Sequence, residues 1–277
     1  MDFRKIAQEV CDLAISDDSL AVPVNEALEV IDVSLDTHGS HNISLSFNGG
    51  KDCTVLLHLY AAALGKRLGP SEEMAPVSAI YIPVPSPFPV LETFVEQIAN
   101  DYNLALHYCR HPDDASSPVS LPAAGSNLVP DQHATIEKAK ARDSMKKALE
   151  LYKLHFPHIT AILIGTRRSD PHGATLSHRN MTDPGWPVYE RVNPIINWSY
   201  CDVWKFLRKL NVPYCCLYDE GYTSIALREL AFSFCSRGKP RHSVRNSDHD
   251  KSVGHQKWNV LVDIHSTSTL STCLRTS

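Results

Sequence analysis

The string Ile-Ser-Leu-Ser-Phe-Asn-Gly-Gly-Lys-Asp-Cys-Thr-Val-Leu-Leu, residues 43–57, constrains this chain more than any other segment. A short apolar strand, Ile43–Phe47, runs into two adjacent glycines, and an apolar helix is expected to begin near Asp52. Gly49 and Gly50 allow a tight turn, because a residue without Cβ reaches backbone conformations closed to others. Such a turn aims backbone N–H groups and the positive end of a helix dipole at one point, which suits an anion. Ser46, Asn48 and Lys51 add side-chain donors beside it. A GxxxxGK[ST] phosphate loop is excluded, since Asp52 and Cys53 follow the lysine, and no dinucleotide GxGxxG is present. A bare turn without ligand is the bland alternative. The polar set Ser46, Asn48, Lys51 and Asp52 inside an otherwise apolar unit argues against it.

The rest of the chain supplies the frame for that loop. Val77–Ile82, Leu104–Tyr108 and Ile159–Ile164 have strand composition, and Thr54–Leu64 reads as a buried helix. Val90–Asp101 reads as an amphipathic helix, after a proline-studded segment at Pro83–Pro89. A helix capped by Asp131 is expected to run to about His155, with Ile136, Ala139, Met145, Ala148, Leu149 and Tyr152 on its apolar side. Val203–Leu210 forms a further helix, with Asp202 as its cap and Trp198 and Trp204 in the core. Strands alternating with helices define an α/β fold with a doubly wound, mainly parallel sheet and the anion loop after the first core strand.

Three segments follow from these patterns. Residues 1–40 form a helical preface, with Ile6, Val10, Leu13, Ala14, Ala27, Leu28 and Ile31 facing the core. Residues 41–225 form the α/β domain that carries the anion loop. Residues 226–277 are rich in Ser, Thr, Arg, His and Asn, with brief apolar runs only at Leu230–Phe234 and Val260–Ile264, and are expected to be poorly ordered. The Pro, Ser, Ala, Gly and Asp content of His111–Pro130 marks an exposed loop.

Composition narrows the partners. A net charge of -4 gives no field for nucleic acid, and no apolar run approaches the ~20 residues of a membrane span. Charges interleave with the apolar residues of Met1–Leu20, unlike a secretory signal. The eight cysteines contain no CxxC pair and no zinc-ligand spacing, and Cys215 and Cys216 suit packing beside Val212 and Leu217. A reduced, cytoplasmic protein is expected, with a monomer as the default.

Strand Ile159–Ile164 runs into Gly165-Thr-Arg-Arg-Ser-Asp-Pro171. In an open parallel sheet ligands sit beyond the carboxyl ends of the strands, where this loop and the Asn48–Asp52 loop both fall. Arg167 and Arg168 suit an acceptor phosphate or charge developing in a transition state, and surface salt bridges are the alternative.

The 43–57 string resembles the pyrophosphate-binding loop, SxGGKDS, of the adenine-nucleotide hydrolase-like superfamily. Asn48 and Cys53 narrow the likeness to eukaryotic FMN adenylyltransferases, also called FAD synthases. Gly165–Pro171 is similar to the flavin-binding motif of that family, and Asp183–Pro187, Arg191–Trp198, Asp202–Leu207 and Val212–Ser224 match in order and spacing. The resemblance implies ATP and FMN as substrates, FAD and pyrophosphate as products, and Mg2+ on the triphosphate. It implies that Ser46, Phe47, Asn48, Gly49, Gly50, Lys51 and Asp52 hold the ATP phosphates, and that Ile82, Ile164 and Gly165 border the nucleotide. Arg167, Arg168, Asp170 and Trp186 would line the FMN side, with Asn48, Asp52 and Arg168 as the catalytic set and Asp52 positioning Mg2+. No other metal ligand is assigned.

The resemblance stops at Ile225. The family continues with an Asn-Pro element and a basic segment, whereas this chain reads Ala226-Leu-Arg-Glu229, and Arg237, Arg241 and Arg245 lack a matching context. A nucleotide- or flavin-binding chain without turnover is therefore the main alternative. A phosphoadenylyl-sulfate reductase needs a nucleophilic cysteine segment that Cys235 and Cys273 do not supply, and a tRNA-modifying enzyme needs a basic face.

Overall fold

The computed structural model describes residues 1–83, 88–109, 130–171 and 173–225, with side chains described from residue 142 onward in the helix that begins at Pro130. The anticipated loop at 111–130, apart from Pro130, most of the proline-studded segment at 83–89 and the whole of 226–277 lie outside these residues.

The apolar runs form a sheet of six strands: β1 (Ile43–Ser46), β2 (Val77–Tyr81), β3 (Leu104–Tyr108), β4 (Ala161–Leu163), β5 (Arg179–Met181) and β6 (Glu190–Val192). Their order is β3-β2-β1-β4-β6-β5, all neighbours parallel except the β5–β6 pair. Leu45 sits between Ala79 and Leu163, which fixes the register of the centre. The winding reverses between β1 and β4, so the crevice at their carboxyl ends is the natural ligand position.

The period of two along each strand separates the two faces of the sheet. Leu45, Ala79, Ala161 and Leu163 join one apolar cluster, while Ile80 and Ile162 join another with Tyr152 and Tyr189. α3 (Lys51–Arg67) is buried on all sides because it lies between the sheet and the N-terminal helices α1 (Phe3–Ala14) and α2 (Ala21–His38). A Cβ on Gly65 would stand 2.0 Å from the Phe3 carbonyl oxygen, so α1 approaches α3 at backbone distance. α4 (Pro89–Asp101) packs beside β3, and α5 (Pro130–His155) covers the second face, where the Tyr152 hydroxyl donates to Ser44 Oγ at 2.9 Å. α6 (Tyr200–Lys209) is the last α-helix among the described residues.

Several details differ from expectation. The cap of α6 is Ser199, and Asp202 is its partner in a capping box: Ser199 N–H donates to Asp202 Oδ2 at 2.9 Å and Asp202 N–H to Ser199 Oγ at 3.1 Å. α5 begins at Pro130, which puts Asp131 inside the helix, and Met145 is 46% exposed at its flank. Trp198 is core, but Trp204 is only half-buried, edge-on to Tyr214 and Tyr218. Cys215 is buried and Cys216 exposed. No helix among the described residues is long and apolar enough to cross a membrane.

Within the core, His58 of α3 packs edge-on to Tyr102 and Phe206, and its Nδ1 bonds the Tyr102 hydroxyl at 2.8 Å. Nε2 has no hydrogen-bond partner among the described residues. Burial pushes this imidazole down from 6.5 to about 4, so it stays neutral in the folded state. Below 6.5 the unfolded chain binds a proton that the folded chain refuses, so stability falls as pH falls from 6.5 towards 4. Melting temperatures measured across that window are expected to show this decline in the native protein and a shallower one in His58→Gln.

Candidate active site

The first wall of the site follows from the end of β1. Phe47 is fully buried and its N–H continues the ladder to the Ile80 carbonyl at 3.0 Å. The chain then turns at Gly49, whose φ of +74° favours glycine and whose Cβ would meet Leu91 Cδ1 at 2.6 Å. Gly50 is the residue before α3. Asn48 Oδ1 accepts from Gly50 N–H at 3.0 Å and from the Cys53 thiol at 2.9 Å. With the carbonyl end of the amide committed to two donors, its NH2 end is what remains for a ligand. Burial pushes the Cys53 thiol up to about 12, which keeps it a donor and an unreactive one.

The charged residues form an alternating chain. Lys51, only 5% exposed, places Nζ 3.0 Å from Asp52 Oδ2 and 3.4 Å from the Thr223 carbonyl oxygen, over the rings of Tyr200 and Tyr218. Asp52 Oδ1 lies 2.9 Å from Arg167 Nε, but that N–H is not aimed at the oxygen, so both atoms are close in charge yet lack an aligned hydrogen bond. Arg167 also holds Asp170, through its guanidinium at 2.8 Å and its backbone N–H at 2.7 Å. Lys51, Asp52, Arg167 and Asp170 thus balance one another.

The second wall comes from β4. Gly165 lies so close to α3 that a Cβ there would be 2.9 Å from Cys53 N and 3.0 Å from the Asp52 carbonyl carbon. Between the walls is a cavity of about 250 Å3. Of the residues anticipated from sequence, Ser46, Asn48, Gly50, Lys51, Asp52, Ile164, Gly165 and Asp170 line it. Phe47 and Gly49 support it from the core, and Arg167 sits behind Asp52. Arg168 is turned elsewhere: Nε and an NH2 group donate to Asn197 Oδ1 at 3.2 and 2.9 Å, and the other nitrogen to the Leu176 carbonyl at 3.0 Å. Ile82 packs against the second core cluster, and Trp186 lies under the Arg142 guanidinium at 5.7 Å. Neither borders this cavity.

The sequence reading missed Cys53, Thr166, Pro171, Tyr218, Ser224 and Ile225 as lining residues. Tyr218 and Ser224 belong to the Val212–Ser224 string, which marked a motif without saying that it folds over Lys51. A larger depression of about 690 Å3, lined by Glu9, Asp12, Asp18 and Lys209, contains none of the loop residues, and its Asp18 and Lys209 are paired at 2.6 Å. No group of three or more His, Cys, Asp or Glu residues able to hold a metal ion occurs among the described residues.

A parallel sheet with a glycine turn delivering lysine, asparagine and aspartate to its switch point defines an α/β domain whose ligand position is the crevice at the carboxyl ends of the strands. The chain belongs to the phosphoadenosine phosphosulfate reductase domain family, whose sequence model matches residues 42–226. It is similar to the probable FAD synthase of Caenorhabditis elegans, 35% identical over 207 residues, covering 74% of this chain and 33% of that protein. It is also 31% identical over 201 residues to the probable FAD synthase of Schizosaccharomyces pombe, covering 72% of this chain and 64% of the relative. The chain therefore spans between a third and two thirds of the length of these relatives. Candida glabrata FMN adenylyltransferase in complex with FAD and inorganic pyrophosphate superposes with a TM-score of 0.62 at 27% identity, over 83% of this chain and 74% of that one.

Proposed function

We propose that this chain transfers AMP from ATP to FMN, giving FAD and pyrophosphate. The observation that carries the reading is the Asn48–Asp52 turn, which brings the Asn48 amide, the N-terminus of α3 and the Lys51–Asp52 pair to one cavity, with Arg167 behind Asp52. The likeness to an FMN adenylyltransferase bound to FAD and pyrophosphate supports the choice of acceptor. In the reaction a phosphate oxygen of FMN attacks the α-phosphorus of ATP, and the bond to the β-phosphate bridging oxygen breaks. The acceptor is already ionised, so the protein's task is alignment and stabilisation of charge rather than proton removal.

The Asn48 amide and the first N–H groups of α3 would hold the polyphosphate, and Lys51 and Arg167 would balance its charge. Arg168, committed to Asn197 and the turn at Ala174–Leu176, would hold the acceptor side in shape. We assign Ile164 and Gly165 to the nucleotide border, Asp170 to the flavin side, and Ile82 and Trp186 to its outer margin. Asp52 lines the cavity, and its carboxylate is the hard-oxygen donor that would hold Mg2+, with the other ligands coming from phosphate and water. Bound there, Mg2+ would neutralise charge on the triphosphate. We further propose a cytoplasmic monomer that takes these small molecules as its partners and acts on neither nucleic acid nor membrane, in keeping with the net charge of -4.

ATP labelled at the α- or γ-phosphate discriminates this chemistry from other uses of the loop. The α-label is expected in FAD and the γ-label in pyrophosphate. Release of γ-labelled orthophosphate alone would rule adenylyl transfer out. A second reading, ligand binding without turnover, is favoured by one observation: the family match ends at residue 226, and the sequence after it lacks the family's Asn-Pro and basic elements.

A further inference from the structure

Tyr218 ends a short 3-10 turn, Cys216–Tyr218, about 170 residues from the glycine loop, and no role was assigned to it from the sequence. Its ring packs edge-on to Trp204 at 5.3 Å and lies under the Lys51 ammonium at 5.8 Å. Its hydroxyl accepts the Lys51 backbone N–H at 2.9 Å. That N–H is the first of α3 and has no intrahelical partner, so the phenol oxygen stands where a helix N-terminus receives an anion. Among the described residues the hydroxyl accepts this bond and donates none, and Tyr218 lines the cavity together with Asn48, Lys51 and Asp52.

A hydroxyl that accepts from a helix N-terminus is polarised into a stronger donor, because hydrogen bonds in a chain reinforce one another. Burial, with the nearby Asp52 charge, pushes the phenol well above its ordinary value, opposed by the Lys51 N–H, so it keeps its proton. It is a donor and not a base. The neighbouring Thr223 carbonyl, which receives Lys51 Nζ, ties the same segment to the loop from the other side.

We propose that the Tyr218 hydroxyl donates to the pyrophosphate portion of the bound nucleotide, relaying the Lys51 N–H to the leaving group. This rests on reading the Asn48–Asp52 loop as the polyphosphate site. The assignment is independent of whether FMN is the acceptor, since pyrophosphate alone would engage the hydroxyl.

Tyr218→Phe keeps the ring and removes the hydroxyl, which is both the donor to a ligand and the acceptor of the Lys51 N–H. Calorimetric titration of the full chain with inorganic pyrophosphate is expected to show roughly ten- to a hundredfold weaker binding in the variant, with the melting temperature of the ligand-free protein lowered by loss of the Lys51 N–H bond. Unchanged pyrophosphate affinity would overturn the assignment. Equal weakening in Ile31→Val, a core variant away from the cavity with a comparable loss of melting temperature, would also overturn it, since that is the mark of a structural role. A native chain that binds pyrophosphate and loses it in Tyr218→Phe, yet makes no FAD, would uphold this role and overturn the proposed function. A native chain that does not bind pyrophosphate would overturn both.

Discussion

Asp52→Asn is expected to lower the rate of FAD formation by about a hundred- to a thousandfold, the range for losing one preorganised charge at a reacting centre. The substitution preserves shape, and the amide oxygen still accepts from Lys51 Nζ, which Asp52 Oδ2 meets at 3.0 Å. What it removes is the negative charge between two cations, one of them Arg167, whose Nε is 2.9 Å from Oδ1. Lys51, 5% exposed, is left without a carboxylate among the described residues, while Arg167, 7% exposed, keeps only Asp170 at 2.8 Å. Asparagine is also a poorer hard-oxygen ligand for the Mg2+ that we assign to this position. Steady-state kinetics with ATP and FMN, alongside a melting curve, check this. A turnover within tenfold of native would remove Asp52 from the proposed chemistry.

Gly165→Ala is expected to cost stability and the site together. The added methyl would stand 2.9 Å from Cys53 N and 3.0 Å from the Asp52 carbonyl carbon, both backbone atoms at the start of α3. Flexible side-chain ends can yield a few tenths of an ångström, but the first turn of a helix buried on all sides has nowhere to go. Overpacking of this kind costs roughly 3 kcal/mol, or on the order of 10 °C in melting temperature for a domain of this size. Because the displaced atoms are those of the anion loop, nucleotide affinity should fall in the fraction that remains folded. Thermal unfolding with and without ATP measures both effects. An alanine variant with native stability and native ATP stabilisation would contradict the backbone approach described here.

The sequence displays local features of this protein well. β1, β2, β3 and β4 appear within two residues of their expected limits because each is a short apolar run, three of them inside the sheet and β3 at its edge, and α3 is evident as a long apolar stretch after a glycine turn. β5 and β6 do not show, since Arg179–Met181 and Glu190–Val192 are short and polar and are held at the sheet edge by pairing and by the Arg179–Glu190 ion pair. The same limit applies to the site. Asn48, Lys51 and Asp52 are legible because one turn presents them all, whereas Tyr218 and Ser224 reach the cavity through a fold-back that no local pattern encodes. Arg167 and Arg168 are adjacent, and only packing reveals that one faces Asp52 and the other Asn197. Ser199 was overlooked as a cap because Asp202, three residues on, carries the more obvious charge.

Purified 277-residue chain incubated with ATP, Mg2+ and FMN, followed by chromatographic separation of the flavins, tests the central claim most directly. FAD accumulating together with an equal amount of pyrophosphate, and suppressed in Asp52→Asn, is the predicted result. FMN and ATP recovered unchanged, from a protein shown by titration to bind them, would contradict catalysis and leave a nucleotide-binding domain without turnover.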